Sequence, residues 1–380
     1  MPRILILHAA VGTGHTTAAR ALADAFRRKQ QGDVRVEDIL DYGSRLFRTA
    51  LTRAYLDVSG RAPLLWKVLY ETTDLGDPDA VAATNVLRAR IERLPLRKLE
   101  RFVTSYAPDA IVSTHMFPLT VLDRLKRQGT LRQPLYCVVT DYMVHSIWIN
   151  EVVDGYFLAS EPTREVMIAR GVPPSILHVT GIPVRPEIAE PKAAHEARAR
   201  RGLPLEGPIV TLFGGGIEPR RVRRVVTRLL EATTPGTLVV AAGRSESLMA
   251  SLADLGDGPA MRLRRLGMID YVDDLIAASD LVITKSGGLI VSEVLARGRP
   301  MIVIDPIPGQ EEWNADYVAG SGAGVQLRQP ESVPLAALAL LGQPERLAVM
   351  RAQAARVGRP RAALEIAERI LADLRTGVYA

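Results

Sequence analysis

The chain has 380 residues, an apolar content of 47% and a formal net charge of +6, and its length exceeds one typical hydrophobic core and predicts two domains. Its single cysteine, Cys137, excludes an internal disulfide and a cysteine-cluster metal site and is typical of a reducing cytoplasm. No uncharged apolar run approaches the ~20 residues of a membrane span. We therefore expect a cytoplasmic chain without a signal peptide, and the positive charge indicates an anionic partner.

The first half of the chain alternates short apolar runs with helical patterns. The run at Ile4–Leu7 precedes a predicted helix from His15 to Arg28. Further apolar runs lie at residues 34–36, 110–113, 135–139 and 156–158. Continuous apolar strands between helices are typical of a parallel sheet covered on both faces. We therefore predict a doubly wound α/β domain over residues 1–186.

The turn that follows the first run holds the first candidate site. Gly12 and Gly14 allow a tight turn, but position 17 is Thr, so the nicotinamide pattern G-x-G-x-x-G is incomplete. His15 would lie at a helix start, where the helix dipole disfavours the imidazolium form and keeps a neutral base available. The alternative interpretation of His15 is a capping or packing residue.

The segment Tyr42–Glu71 interrupts the alternation of strands and helices. It is rich in apolar and aromatic side chains, Trp66 among them, and holds five Lys or Arg against two acidic residues. Such a segment could lie on an anionic membrane surface. On the pattern alone, an ordinary pair of helices with solvated arginines is favoured. The Asp77-Pro78-Asp79 sequence that follows is interpreted as a turn or helix cap rather than a metal motif.

A second candidate site follows the apolar run at residues 135–139. Asp141 should lie at the carboxyl edge of the sheet, where open α/β sheets bind ligands. Asp141 and His145 could form an orienting pair, or Asp141 could simply cap a loop. The choice of general base therefore stays open between His15 and Asp141.

A second domain is predicted from a new alternating series. The charged stretch at residues 187–201 is the best linker candidate, and apolar runs resume at Ile209–Phe213. We predict a second doubly wound domain over residues 202–355, and a C-terminal helix at residues 356–380 that packs back toward the first domain. Two such domains in succession predict a cleft between the carboxyl ends of their strands.

Two glycine turns in this second domain each follow a strand and open a helix. The first is Gly214–Gly216, and the second is Gly287-Gly288. Exposed backbone N–H groups in such turns can bind phosphate oxygens. Glu293, within the helix after the second turn, and the pair Gln310 and Glu311 present groups that suit hydroxyl-rich ligands. Each of these alone is also compatible with an ordinary turn or helix cap.

The order of these motifs resembles the diacylglycerol glycosyltransferases, a family that includes the monogalactosyldiacylglycerol synthases and the bacterial processive diacylglycerol glucosyltransferases. A looser similarity extends to the peptidoglycan-precursor N-acetylglucosaminyltransferase. The resemblance spans nearly the whole chain and rests on Gly12-x-Gly14-His15, Thr140-Asp141 with His145 and Trp148, Thr180–Pro186, Thr284-Lys285-x-Gly287-Gly288 with Glu293, Pro306-x-Pro308-Gly309-Gln310-Glu311 with Asn314, and Gly322-Ala323-Gly324.

The resemblance implies the GT-B fold, two Rossmann-like doubly wound domains facing across a cleft. It also implies an inverting glycosyltransferase that uses no metal and no cofactor, with a UDP-hexose as donor. The acceptor would be diacylglycerol or a glycosyl-diacylglycerol, reached by peripheral binding to an anionic membrane surface at the inner face of the cell membrane. Nucleic acid is not expected as a partner, because the basic clusters lack interleaved aromatic residues.

The resemblance also implies roles for individual residues. His15 becomes the leading candidate for the base, with Asp141 as its competitor. In the second domain, Gly287 and Gly288 would approach the diphosphate, and Glu293 would hold the ribose. The sugar would be held by Gln310 and Glu311. The further residues assigned to donor binding are Gly214, Gly215, Lys285 and Asn314, and those assigned to the acceptor or membrane are Gly14, His145, Trp148 and Trp66.

Two departures and three alternatives accompany this interpretation. Ser286 stands where a proline is common in the bacterial glucosyltransferases, and Val11 stands where an aromatic residue is expected. The alternatives are N-acetylglucosaminyl transfer to another lipid, a UDP-sugar epimerase of the same fold, and a non-catalytic sensor of nucleotide sugars. The sequence leaves the identity of the hexose open.

Overall fold

The computed structural model describes residues 1–10, 14–29, 32–43, 68, 71–74, 76, 97–304, 306–307 and 309–377. Several sequence-based predictions lie outside these residues. They concern Gly12, most of the segment Tyr42–Glu71 with Trp66, the Asp77-Pro78-Asp79 turn, and Pro308.

The described chain alternates strands and helices. The strands are β1 (Arg3–His8), β2 (Asp33–Asp38), β3 (Ala110–Ser113), β4 (Leu135–Val138), β5 (Gly155–Leu158), β6 (Leu177–Val179), β7 (Ile209–Phe213), β8 (Gly236–Ala241), β9 (Met261–Leu266), β10 (Leu281–Thr284), β11 (Met301–Ile304) and β12 (Gly324–Leu327). The helices are α1 (Gly14–Arg28), α2 (Arg97–Tyr106), α3 (Met116–Arg127), α4 (Glu161–Ala169), α5 (Ala194–Arg200), α6 (Pro219–Leu230), α7 (Glu246–Ser251), α8 (Val272–Ala278), α9 (Gly288–Ala296), α10 (Gln310–Gly320), α11 (Ser332–Leu341), α12 (Pro344–Val357) and α13 (Ala362–Thr376). No described helix combines the length and apolar composition that crossing a bilayer requires.

The chain divides into two compact units. The first comprises Met1–Glu187, Ile307–Gln310 and Arg361–Ala380, and the second comprises Ile188–Pro306 and Glu311–Pro360. The short segment Ile307–Gln310 therefore groups with the first unit, although we expected Gln310 to belong to the second domain.

The first unit is built on a six-stranded sheet in the order β2-β1-β3-β4-β5-β6, and every pairing in it is parallel. Successive residues of β1 alternate between two cores: Ile4 and Ile6 pack with α1 and α13, whereas Leu5 and Leu7 pack on the other face. This burial on both faces explains why the strands are continuous apolar runs. The helix α13 packs against α1, and the Tyr136 hydroxyl donates to Asp373 Oδ2 at 3.1 Å.

The second unit is built on a six-stranded parallel sheet in the order β12-β11-β10-β7-β8-β9. The strand order reverses between β7 and β10, as it does between β1 and β3 in the first unit. Such switch points leave a crevice outside the carboxyl ends of the strands, where ligands bind in doubly wound folds. The doubly wound α/β class predicted for both halves is confirmed.

Of the charged stretch predicted as a linker at residues 187–201, Glu187 belongs to the first unit, and residues 188–201, which include α5, belong to the second. The charges of this stretch account for the difference, because they dock on α8 rather than stay solvated. Lys192 Nζ lies 2.5 Å from Asp273 Oδ2, and Arg201 Nε donates to Asp274 Oδ2 at 2.7 Å. The buried Arg198 donates through Nε to the carbonyl of Ala278 at 3.0 Å.

We expect the first residue of β12, Gly324, to tolerate no side chain. A Cβ there would lie 2.6 Å from the Met301 carbonyl oxygen and 2.6 Å from Val318 Cγ1, and overpacking of this kind typically destabilises by about 1–3 kcal/mol. Gly324→Ala should lower the free energy of unfolding by that amount in urea titrations. Gly320→Ala is the matched control, because a Cβ there meets nothing within 4 Å and should be neutral or stabilising. Equal stability of the two variants would contradict the packing argument.

Candidate active site

The first candidate site lies at the carboxyl ends of β1, β3 and β4. His15 follows β1 at the start of α1, Thr114 and His115 follow β3, and Thr140 follows β4. Because the strands are parallel and adjacent, these loops meet at one edge of the sheet, on the switch point between β1 and β3. The sheet therefore brings together side chains that are about a hundred residues apart in sequence.

Two contacts hold the His15 ring. Its Nδ1 atom lies 2.9 Å from the carbonyl oxygen of Thr114 and 2.9 Å from Thr140 Oγ1. A carbonyl oxygen only accepts hydrogen bonds, so Nδ1 must have the proton and donate it to Thr114. In the other tautomer the lone pair of Nδ1 would face the lone pairs of that carbonyl. The Nδ1–H tautomer leaves the lone pair on Nε2, the atom that a general base needs.

Burial lowers the pKa of His15 to about 4. Desolvation of the charged ring is the largest cause; the hydrogen bond to the Thr114 carbonyl opposes it, and the charge of His8 adds a smaller lowering. The imidazole is therefore neutral at physiological pH. This is the protonation state that was expected from the position of His15 at a helix start.

An aromatic cluster surrounds His15. The ring of His115 packs edge-on against it with centroids 4.4 Å apart, and Trp148 lies 6.2 Å away. His115 Nδ1 accepts from the N–H of Phe117 and caps α3. The sequence interpretation missed His115, although its place directly after the apolar run at residues 110–113 was a usable signal. Trp148, only 2% exposed, packs in this cluster.

Asp141 is also buried, at 3% exposure. Its Oδ1 atom accepts a hydrogen bond from Gln310 Nε2 at 2.8 Å. Gln310 was predicted to hold the sugar and Asp141 to compete for the role of base. Both assignments stay predictions, and the structure adds that the two side chains are bonded to each other.

His145 begins a short 3₁₀ helix, Ser146–Trp148, and its Nδ1 accepts from the Ile147 N–H at 3.0 Å. Its Nε2 lies 3.3 Å from Thr73 Oγ1. Asp74, which follows Thr73, accepts hydrogen bonds from the two terminal nitrogens of Arg170 at 2.9 and 2.7 Å. The suggested pairing of His145 with Asp141 stays a prediction.

The second candidate site lies at the carboxyl ends of β7, β10 and β11, and its first part is the Gly214–Gly216 turn. Gly214 leaves room for a side chain of the core, because a Cβ there would lie 2.6 Å from Leu248 Cδ2. Gly216 has a φ of +79°, a conformation that favours glycine. A Cβ on Gly216 would lie 3.9 Å from Lys285 Nζ, so the ammonium group lies beside this turn.

The turn after β10 is held to α10 by three contacts. Lys285 Nζ lies 3.2 Å from Glu311 Oε2, and Ser286 Oγ donates to the Glu311 carbonyl at 2.6 Å. Asn314 Nδ2 donates to the Ser286 carbonyl at 2.9 Å, and Asn314 is fully buried. Asn314, predicted to bind the donor, thus holds the turn in place. A proline at position 286 could not make the hydrogen bond that Ser286 makes.

The helix α9 begins directly after this turn, with Gly287 as its N-cap and no capping side chain. The first N–H groups of a helix have no partners within it and favour anions. Glu293 lies further along the same helix and is 5% exposed. The site therefore combines two glycine turns, a helix start and an ammonium group, which is the chemistry of a phosphate site. Among the described residues, no three His, Cys, Asp or Glu side chains form a group able to hold a metal ion.

Two family models match consecutive parts of the chain. The monogalactosyldiacylglycerol (MGDG) synthase family matches residues 15–184, and the glycosyltransferase family 28 C-terminal domain matches residues 209–366. Among individual relatives, a processive diacylglycerol beta-glucosyltransferase of Bacillus cereus (strain AH187) is 29% identical over 372 residues, covering 98% of this chain and 94% of the relative.

Several solved structures share the fold. MurG of Acinetobacter baumannii has a TM-score of 0.63 at 17% identity, covering 98% of this chain and 99% of that one. Anabaena HepE in complex with UDP and glucose has a TM-score of 0.57 at 16% identity, covering 99% and 100%. The UDP-GlcNAc 2-epimerase of Neisseria meningitidis, bound to UDP-GlcNAc, has a TM-score of 0.62 at 10% identity, covering 97% and 99%. These likenesses show the fold alone, and they confirm the GT-B class.

We expect the His15 ring to titrate near pH 4 with its proton on Nδ1, which nitrogen-detected NMR can measure with His15→Gln as the assignment control. The pKa of His15 is lowered from 6.5 to about 4 on folding, so the unfolded chain binds this proton first. The contribution of His15 to the free energy of unfolding should therefore be largest above pH 6.5 and should decrease as the pH falls from 6.5 to about 4. The His15→Gln variant should not show this decrease. Titration near pH 6.5, or a proton on Nε2, would contradict the geometry.

Proposed function

We propose that the chain is a diacylglycerol glycosyltransferase, which transfers a hexose, with inversion, from a UDP-sugar to the hydroxyl of diacylglycerol or of a glycosyl-diacylglycerol. The observation that supports this most directly is the His15 ring, which is neutral and has its Nδ1 proton donated to the Thr114 carbonyl. The name of the Bacillus relative favours glucose as the first donor to test.

The donor is proposed to bind the second unit. The Gly214–Gly216 turn, Lys285 and the N–H groups at the start of α9 suit the diphosphate, because they supply positive charge and backbone donors at a switch point. Glu293 is proposed to accept from the ribose hydroxyls. The Glu311 carboxylate is proposed to accept hydrogen bonds from the hexose hydroxyls, and the Gln310 amide to donate to them or accept from them.

The proposed reaction is a single displacement at the anomeric carbon. The acceptor oxygen forms a bond to that carbon as the bond to the phosphate oxygen breaks, and UDP leaves with the electron pair. His15 Nε2 takes the hydroxyl proton, and the resulting imidazolium keeps its bond to the Thr114 carbonyl. General-base assistance is typically worth about 10²–10⁴-fold. A pKa near 4 leaves essentially every molecule with an unprotonated base, but it also makes that base a weak one.

We further propose that the reaction needs no divalent metal. The departing diphosphate gains negative charge, and preorganised N–H groups with an ammonium group can stabilise it. Lys285 and the two glycine turns would supply that stabilisation.

Membrane association is proposed as peripheral, at the inner face of the cell membrane. A lipid acceptor requires the protein to reach a bilayer surface, and the net charge of +6 favours an anionic one. The basic apolar segment Tyr42–Glu71 with Trp66 is the proposed contact surface, and most of it lies outside the described residues.

The direct test is mass spectrometry of lipids after incubating pure protein with UDP-glucose, UDP-galactose or UDP-GlcNAc and vesicles that contain diacylglycerol. We expect a hexosyl-diacylglycerol, with the same yield in EDTA. A product made only in the absence of EDTA would contradict metal independence. An epimerised nucleotide sugar formed without acceptor would favour the epimerase alternative, and binding without any release of UDP would favour a sensor.

Replacing His15 should separate chemistry from donor binding. His15→Ala is expected to lower turnover by about tenfold or more and to leave the affinity for UDP nearly unchanged, as measured by UDP release and by calorimetry. His195→Ala removes an exposed histidine of α5 and should leave both quantities unchanged. Normal turnover in His15→Ala, together with a loss in Asp141→Asn, would move the role of base to Asp141.

A further inference from the structure

We infer that Glu311 occupies part of the diphosphate site in the free protein, and that donor binding exchanges the Lys285–Glu311 ion pair for a Lys285–phosphate contact. This inference rests on the proposed function. It adds a step to donor recognition, in which the side chain that later contacts the hexose first competes with the phosphates.

The position of the Glu311 carboxylate supports this step. One oxygen, Oε2, lies 3.2 Å from Lys285 Nζ, and the other, Oε1, lies 3.9 Å from where a Cβ of Gly287 would be. Gly287 is the N-cap of α9, so the carboxylate lies between an ammonium group and a helix start. Those are the two features of this site that attract anions. The Glu311 carboxylate therefore lies where a bound anion would be stabilised.

The Lys285 side chain can reach both partners. Its ammonium group lies 3.2 Å from Glu311 and 3.9 Å from where a Gly216 Cβ would be, so it lies between the glycine turn and the carboxylate. A diphosphate bound at the Gly214–Gly216 turn would lie next to the same ammonium. Small rotations of a flexible lysine would suffice for the exchange.

A diphosphate should replace Glu311 as the partner of Lys285 rather than bind beside the intact ion pair. The side chains of Lys285 and Glu311 are 14% and 15% exposed, so neither charge is fully hydrated and either one left alone is unfavourable. A diphosphate has more negative charge than one carboxylate and forms charge-assisted hydrogen bonds. It can therefore replace Glu311 as the partner of Lys285. The released carboxylate then accepts hydrogen bonds from the hydroxyl groups of the hexose, which UDP alone lacks.

The backbone of the turn need not change during this exchange. Ser286 bonds to the carbonyl oxygen of Glu311, not to its side chain, and Asn314 bonds to the carbonyl of Ser286. Removing the Glu311 charge should therefore leave the turn folded. This makes Glu311→Gln a usable variant.

The test is calorimetry with UDP, UDP-glucose and uridine on the full chain and on Glu311→Gln, Lys285→Met and the double variant. Glu311→Gln should bind UDP about threefold more tightly, because the diphosphate then has no carboxylate to displace from Lys285. Lys285→Met should bind UDP about tenfold more weakly. The gain from Glu311→Gln should shrink in the Lys285→Met background, as coupled residues require. Uridine affinity should not change.

The matched control is Glu312→Gln. It removes the same charge one residue away, where the carboxylate lies 3.5 Å from Arg328, and it should leave UDP affinity unchanged. The preference for UDP-glucose over UDP should fall in Glu311→Gln, because the released carboxylate is gone.

The outcomes separate the two proposals. If the natural protein binds neither UDP nor UDP-glucose, the proposed function fails and this inference fails with it. If UDP binds but Glu311→Gln weakens it or leaves it unchanged, only the exchange is overturned. A gain from Glu311→Gln that is equally large without Lys285 would also overturn it. Thermal unfolding of each variant shows that the affinities are those of folded protein.

Discussion

The parallel direction of every strand is the constraint on which both candidate sites depend. In each sheet all carboxyl ends lie at one edge, so the loops that follow neighbouring strands meet there. His15 and Thr114 meet after β1 and β3, which are paired in register from Ile4 with Ala110 to Leu7 with Ser113. The Gly214–Gly216 turn and Lys285 meet in the same way after β7 and β10. The chemistry of each site therefore follows from the strand order, because a loop placed elsewhere in the order would end beside different partners.

Site residues next to a predicted strand end could be identified from the sequence, whereas the residues that they contact could not. The apolar run Ile4–Leu7 and the helix after it predicted that His15 lies at a helix start, and β1 ends one residue later than that run. The proton position on His15 depends on Thr114 and Thr140, which are 99 and 125 residues away. No local pattern indicates which carbonyl faces which ring, since that depends on strand order and register. The three-residue strand β6 was missed for a simpler reason, because Leu177–Val179 contains His178 and shows no apolar run.

The stretch at residues 187–201 shows that a high density of charged residues does not by itself predict a linker. A run of charged residues after a turn is typical of a solvated linker, but here the charges have partners on α8. Asp273 accepts from Lys192 and also from Arg297, whose Nε and Nη2 atoms lie 2.5 and 2.7 Å away. Burial would raise the pKa of this carboxyl, and the surrounding cations more than offset that effect and keep the pKa below its ordinary value. Complementary charges more than seventy residues further along the chain, on α8, decide whether this stretch docks.

The two sites differ in whether the partner of the buried polar side chain is neutral or charged. At His15 the partner is a neutral acceptor, the Thr114 carbonyl, and burial lowers the pKa of the ring to about 4 although that hydrogen bond opposes the shift. At Lys285 the partner is a charged group on α10, because Glu311 Oε2 lies 3.2 Å from Lys285 Nζ and both side chains are largely buried. A proton acceptor must be unprotonated to act, and an anion site must remain positive before its ligand arrives. A carboxylate in place of the Thr114 carbonyl would favour imidazolium and remove the free base, and a carbonyl in place of Glu311 would leave Lys285 without a charged partner. The neutral partner in one site and the charged partner in the other therefore suit the roles proposed for the two sites.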